Sequence, residues 1–353
     1  MSKPNTKRVF YVRHLPHSVF SETIAARADV SLQKLDNDAA DGVAAPVIGT
    51  AHAYQVGASR DELPARFHVT ADFLARAPNL LIASSNGAGF DPIDVGACTA
   101  AGVIVMNQSG GNARSVAEHA AGMLLSLAKR IGEADRALRR GAVTNRNALI
   151  GTEVSGKTLG IVGLGHAGGE MAKICGGALG LRVLAYDPFL DAAAVAQRGA
   201  KKVTFDDLLR ECDFVSVHCP LNAETRGLFG PREFSLMRKG AFFITTARGF
   251  IHDEAALADA LTSQHLGGAG LDVWAQEPPS ASHPLLQFDT VIASPHTAGV
   301  THEARYKMGL IAAEQLLATL DGRVPERLIN PEAWPKYAAR FEVAFGFAPD
   351  ALR

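Results

Sequence analysis

Three residues in the second half of the chain have the types that acid–base chemistry on an oxygen atom requires. Arg248 stands in TTARG, Glu277 in DVWAQEPP and His296 in SPHTAG. An imidazole, with an ordinary pKa of about 6.5, gives and takes a proton near neutral pH. A carboxylate beside it fixes its orientation and favours its protonated form. A guanidinium can hold a substrate carboxylate and polarise a carbonyl oxygen through charge-assisted hydrogen bonds. Each of the three follows a run that reads as a strand, at 241–245, 269–273 and 291–294. In a parallel sheet these strand ends open on one edge, the edge where ligands bind in such folds. Taken singly, each has a plain alternative: a surface cation, a solvated loop acid, a structural histidine.

A second pattern lies upstream. Residues 157–165 read as a buried strand, TLGIV, running into Gly163-x-Gly165-x-x-Gly168 and onward into a helix. Side chains there would block the tight turn and the approach of backbone N–H groups to a pyrophosphate. Alone the spacing is weak, because ordinary strand–helix turns share it. Asp187 strengthens it, lying about 20 residues past Gly168 at the end of the next strand. A carboxylate there accepts from both ribose hydroxyls and repels a 2′-phosphate, which favours NAD over NADP.

The elements that must position these groups alternate. Short apolar runs at 80–84, 159–162, 183–186, 214–218 and the three strands above are separated by helical stretches at 114–139, 169–179, 205–212 and 254–263. That alternation favours an α/β fold, with parallel sheets covered by helices on both faces. The 114–139 stretch carries Val116, Ala120, Met123, Leu124, Leu127 and Ile131 at helical spacing. It reads as one long core helix, with a subunit interface as its alternative. Turn-rich residues 107–112 and 295–299, the latter leading into a helix at 301–320, mark the joints between domains. Residues 111–305 are then the nucleotide-binding domain, and 1–110 with 306–353 form a discontinuous substrate-binding domain. The cleft between them is the expected substrate site.

The bulk properties agree with a two-domain globular protein. The 353 residues suffice for two domains, and a net charge of −1 disfavours nucleic acid or an anionic membrane as partner. No apolar run reaches the roughly 20 residues of a membrane span, and the N-terminus lacks the apolar core of a secretory signal. Cys98, Cys175, Cys212 and Cys219 have neither metal-ligand nor disulfide-framework spacing, so a cytoplasmic protein without a metal is expected.

The run from 240 to 299 resembles the signature region of the D-isomer-specific 2-hydroxyacid dehydrogenases. TTARGFIHDEAALADAL, GGAGLDVWAQEPP, HPLL and SPHTAG follow in that family's order and spacing. SVAEHAAGMLL, GLGHAGG, AYDP and HCPLNAETRGLF extend the resemblance over roughly 80–330. It implies two doubly wound parallel-sheet domains, a Rossmann NAD-binding domain and a flavodoxin-like substrate domain. It implies hydride exchange between NAD and C2 of a small 2-hydroxy or 2-keto acid, Arg248 binding substrate and Glu277 with His296 relaying the proton. Asn86, Ala88 and Gly89 of SSNGAGFDPID fall in the substrate loop, whose backbone amides receive the carboxylate; a glycine-rich turn suits an anion nest. His166 and Ala167 fall with Gly163, Gly165 and Gly168 in the pyrophosphate loop, while Pro220, Thr225 and Thr246 line up with cofactor-contacting segments. Asp272 matches an acid near the nicotinamide carboxamide. A homodimer is the family expectation.

Departures from the pattern touch substrate fit. His166 stands where arginine or another polar residue is usual, Thr245 replaces a frequent asparagine, and Thr297 replaces an isoleucine. Formate dehydrogenases of this superfamily carry glutamine at the place of Glu277. Phosphite oxidation keeps an arginine–glutamate–histidine set, so the motif leaves it open. An NAD(H)-sensing corepressor keeps the same residues, but no long disordered flank suits that role here. His218 and Cys219 read as packing residues. The 49–67 segment, with His52, Tyr54, Gln55 and Arg60, reads as an unusually long loop, either solvated or selecting the substrate side chain. The aromatic tail, with Trp334, Phe341, Phe345 and Phe347, is expected to dock on the substrate domain or a neighbouring subunit. About two dozen residues follow Leu328, too few for an added regulatory domain.

Overall fold

A computed structural model describes residues 6–60, 63–143 and 145–352. The chain divides into two compact units, Met1–Asn112 with Thr301–Arg353 and Ala113–Val300. Residues 1–5 of the N-terminus read above, and 61–62 of the 49–67 segment, lie outside the described residues.

The first unit holds a five-stranded sheet: β1 (Lys7–Val12), β2 (Val30–Leu35), β3 (Ala53–Val56), β4 (Ile82–Ser85) and β5 (Ile104–Met106). Its order is β2-β1-β3-β4-β5 with every pair parallel, the flavodoxin-like order. Side chains alternate between faces, as the two-residue period of a strand demands. Phe10, Tyr54, Ala83 and Val105 enter one apolar cluster, and Val9, Ala53, Ile82 and Ile104 the other. Helices α1 (Val19–Ala25), α2 (Asp41–Thr50), α3 (Ala71–Arg76) and α4 (Val95–Ala101) connect the strands.

The second unit opens with α5 (Ala113–Ala128) and α6 (Ile131–Arg139). Its seven strands are β6 (Thr158–Val162), β7 (Arg182–Tyr186), β8 (Lys201–Lys202), β9 (Phe214–Val217), β10 (Phe242–Thr245), β11 (Gly268–Leu271) and β12 (Val291–Ala293). They run in the order β12-β11-β10-β9-β6-β7-β8, all parallel. Helices α7 (His166–Ala172), α8 (Ala192–Gln197), α9 (Phe205–Glu211), α10 (Pro231–Leu236) and α11 (Glu254–Thr262) cover the sheet. The chain reverses direction across the sheet between β6 and β9, so the switch point where ligands bind lies at the ends of those strands. Two further helices, α12 (His302–Leu320) and α13 (Trp334–Phe345), return to the first unit.

Two sequence expectations are corrected, and a third, the docking of the tail, is resolved. The single helix at 114–139 is two helices, because Arg130 adopts a left-handed φ of 53°. The chain at 151–152 crosses the end of α5, where the Thr152 N–H donates to the Ala128 carbonyl at 2.7 Å. A Cβ on Gly151 would lie 2.6 Å from that carbonyl oxygen, so glycine permits the crossing. Arg130 is then pinned by Glu133 and the Ala148 carbonyl. Val116 is half-buried and Ile131 57% exposed, so the apolar face ends with α5.

The 49–67 segment is largely core. It contains β3, in which Tyr54 is fully buried between Phe10 and Phe73 and donates from its hydroxyl to the Phe67 carbonyl. His52 is buried too, its Nδ1 accepting from the Arg8 N–H at 3.0 Å. Arg60 donates to the Asp91 carbonyl. The tail resolves the third expectation: α13 buries Trp334, Tyr337 and Phe341 in the first unit's own core.

Candidate active site

All the sheet-edge groups of the second unit follow from strand ends. The loop after β6 turns at Gly163, whose φ of +88° is left-handed; a Cβ there would lie 2.7 Å from the Cys219 nitrogen. A Cβ on Gly168 would lie 2.1 Å from the Gly163 carbonyl oxygen, so only glycine lets α7 start this close to the strand. Gly165 faces open space, and His166 is exposed at the first turn of the helix with Ala167 behind it. Asp187, 9% exposed after β7, clamps the loop: its Oδ2 accepts from the Leu164 N–H and its Oδ1 from the Phe189 N–H. Each oxygen keeps a second lone pair.

Further along the same edge, two buried polar atoms have no partner among the described residues, Nδ1 of His218 and Oγ1 of Thr246. Burying a polar atom without a partner costs free energy, so a ligand that supplies one is favoured there. Open glycine cradle, strand-end carboxylate and orphaned edge atoms together fit a dinucleotide. Thr225 is committed elsewhere, its hydroxyl donating to the Pro220 carbonyl at 2.6 Å within a closed turn.

The histidine and glutamate are in contact. His296 Nδ1 lies 2.7 Å from Glu277 Oε2, and Glu277 Oε1 accepts from the Trp274 N–H at 3.0 Å. His296 Nε2, on a side chain 30% exposed, has no partner among the described residues. Burial is the largest influence on His296 and opposes its charge, yet the Glu277 hydrogen bond and charge outweigh it and raise its pKa. Burial likewise works against the Glu277 carboxylate, but His296, the Trp274 N–H and the Arg248 charge hold its pKa below the usual value. Arg248 donates to the Ala247 carbonyl. The next residue must be glycine, since a Cβ on Gly249 would lie 2.1 Å from the Trp274 carbonyl group. This contact holds the arginine loop against the loop that carries Glu277.

Asp272, 1% exposed, organises the histidine loop. Its carboxylate accepts from Ser294 Oγ at 2.6 Å and from the N–H groups of Thr297 and Ala298, while its carbonyl accepts from the His296 N–H. His296 itself has a left-handed φ of 55°, a conformation that costs about 1–3 kcal/mol and persists only where the surroundings enforce it. Sequence reading missed His119 and Ser294, which join this network; SVAEH gave no sign of a partner 175 residues away.

In the first unit, the loop after β4 carries the other candidates. Asn86 is fixed by Gln55 and by the His14 carbonyl, and the Ala88 carbonyl accepts from Asn107. The N–H groups of Ala88 and Gly89 meet no acceptor among the described residues, an arrangement suited to an anion. No described helix is long and apolar enough to cross a membrane, and no described cluster of three or more His, Cys, Asp or Glu could hold a metal.

Residues 121–298, about half the chain, match the family described as D-isomer specific 2-hydroxyacid dehydrogenase, NAD binding domain. The chain belongs to this family. D-3-phosphoglycerate dehydrogenase from Archaeoglobus fulgidus is 42% identical over 262 residues, 74% of this chain and 49% of that one. The chain thus spans about half the length of such relatives. Glyoxylate reductase from Aeropyrum pernix is 38% identical over 270 residues, 75% of this chain and 80% of that one. Among solved structures, D-lactate dehydrogenase from Aquifex aeolicus, complexed with NAD and lactic acid, superposes with a TM-score of 0.76 at 26% identity, covering 89% of this chain and 96% of that one. The matched residues fall within the second unit, which is therefore the family's NAD-binding domain.

Proposed function

We propose that this chain is an NAD-dependent oxidoreductase that interconverts a D-2-hydroxy acid and its 2-keto acid. The observation that carries this reading is the 2.7 Å His296–Glu277 pair on the sheet edge that also bears Arg248 and the glycine loop. The nicotinamide, when bound, would supply a hydride to C2 as NADH or accept one from it as NAD+. In the reducing direction protonated His296 donates from Nε2 to the carbonyl oxygen, and Glu277 stabilises the imidazolium before that step. Arg248 anchors the substrate carboxylate and draws charge toward the oxygen. On the first unit, the amides of Ala88 and Gly89 suit a carboxylate by themselves. Asp187, by its charge, sets the preference for NAD over NADP.

The test is a panel of 2-keto acids (glyoxylate, hydroxypyruvate, pyruvate, larger branched and aromatic acids) with NADH or NADPH. At least one acid is expected to drive oxidation of NADH, and faster than of NADPH. Tight NADH binding with no acid reduced would instead favour a nucleotide-sensing role.

We further propose a homodimer formed through α6. This helix buries none of its residues, and Ile131 and Leu138, seven apart and so on one face, are 57% and 72% exposed. Ile150 adds a third apolar group at 71%. Sedimentation is expected to show a dimer that Leu138→Glu shifts toward monomer. Four free thiols, three of them buried, suit a reducing, cytoplasmic setting.

A further inference from the structure

His119 lies on α5, outside the Arg248–Glu277–His296 set, yet it reaches the loop that carries His296. Its Nε2 is 2.9 Å from Ser294 Oγ. Ser294 has one hydroxyl proton, and that proton is directed to Asp272 Oδ1 at 2.6 Å. Ser294 Oγ is therefore the acceptor from His119, which fixes the imidazole as an Nε2–H donor. The same nitrogen lies 3.7 Å from Asp272 Oδ1. The result is a directed chain, His119 Nε2–H to Ser294 Oγ–H to Asp272, ending on a carboxylate that is almost wholly buried. That carboxylate holds the N–H groups of Thr297 and Ala298, and the Asp272 carbonyl holds the N–H of His296. The backbone of the catalytic candidate and of the two residues after it is thus tied to one acid, and His119 orients the hydroxyl that completes its shell.

We propose that His119 is a positioning residue for His296, acting through Ser294 and Asp272 to hold the 294–298 loop in its left-handed turn. The inference rests on the dehydrogenase reading above. The imidazole is not serving as core filler, since its side chain remains 29% exposed. What it supplies is one donor N–H at a fixed reach, which a leucine lacks and a glutamine amide can restore.

The experiment compares His119→Leu, His119→Gln, Ser294→Ala and the Leu–Ala double variant in the full chain. His119→Leu is expected to lower kcat roughly tenfold while KM for the keto acid and Kd for NADH stay within about twofold. His119→Gln should recover turnover to within about threefold of the parent, and the double variant should be no slower than the slower single variant, as for residues in one network. Parental turnover in His119→Leu, equal impairment in the leucine and glutamine variants, or additive losses in the double variant would each overturn the proposal. If the parent reduces no 2-keto acid, the dehydrogenase reading fails on its own. Positioning is then decided by the Cε1–H resonance of His296: movement in His119→Leu but not in His119→Gln supports it, and no movement refutes it.

Discussion

Replacing His296 with alanine is expected to lower kcat on the order of 10³-fold while NADH still binds. The separation follows from placement. The glycine loop and Asp187 make no hydrogen bond with the His296 ring among the described residues, and the edge atoms of His218 and Thr246 have no hydrogen-bond partner there. The ring's hydrogen bond goes to Glu277 through Nδ1, which leaves Nε2 for the proton transfer proposed above. Glu277→Gln keeps a hydrogen-bonding group but removes the charge, so a smaller loss of about 10- to 100-fold is expected. Its pH signature is specific. The carboxylate raises the pKa of His296 against the opposing pull of burial. In the proposed reaction reduction uses the protonated ring, so its rate is expected to fall as pH rises through that pKa. Without the carboxylate the fall must occur at lower pH. Rapid-mixing assays with NADH titrations by fluorescence check both points. Retention of near-parental turnover in His296→Ala would remove histidine from the reaction.

What the sequence made legible is what depends on local pattern. Strand, glycine turn and helix at 157–168 are written in contiguous residues, and the clash distances show why each glycine is there. Arg248, Glu277 and His296 follow three consecutive strands that pair in parallel, so a reading of strand ends alone puts them on one edge. What was illegible depends on partners distant in sequence. The end of α5 is set by Thr152 taking the Ala128 carbonyl, and no periodicity within 114–139 reports that. Glycine, alanine and polar residues around 49–58 look like a loop, yet β3 lies between β1 and β4 and is buried on both faces. A central strand needs no alternation of apolar and polar residues. Gln55 illustrates the point: it is fully buried and its amide braces Ser85 and Asn86, so a residue that reads as solvent-facing supports the turn after β4.

Acid should destabilise the protein well before its carboxylates protonate, and His252 should be a principal cause. Its ring is buried, 4% exposed, and neither nitrogen has a hydrogen-bond partner among the described residues. Burial pushes its pKa from 6.5 down to about 4, with His283 adding to the shift and the Glu254 and Asp253 charges opposing it. His52 and His218 are each pushed to about 4 by burial as well. A proton on His52 Nδ1 would also remove the acceptor of the Arg8 N–H. The direction follows from linkage. The unfolded chain binds these protons at pH 6.5 and the folded chain only near pH 4, so stability is intact above 6.5 and drains away as pH falls through that window. For His252 alone the loss is about 2 kcal/mol at pH 5 and about 3 kcal/mol below pH 4. Ion-paired carboxylates act lower down, since Asp321 is held at about 2 by Arg27 and Lys7. His296 acts in the opposite sense, its raised pKa adding stability on the acid side. Leucine has nearly the volume of histidine and no polar atom, so it fills the site beside Phe243 without a group that must be charged in acid. His252→Leu is therefore expected to gain about 2 kcal/mol over the parent at pH 5 and little at pH 7.5, read from urea melts at both values. Melts displaced equally at the two pH values would show that packing, and not the buried neutral ring, governs the site.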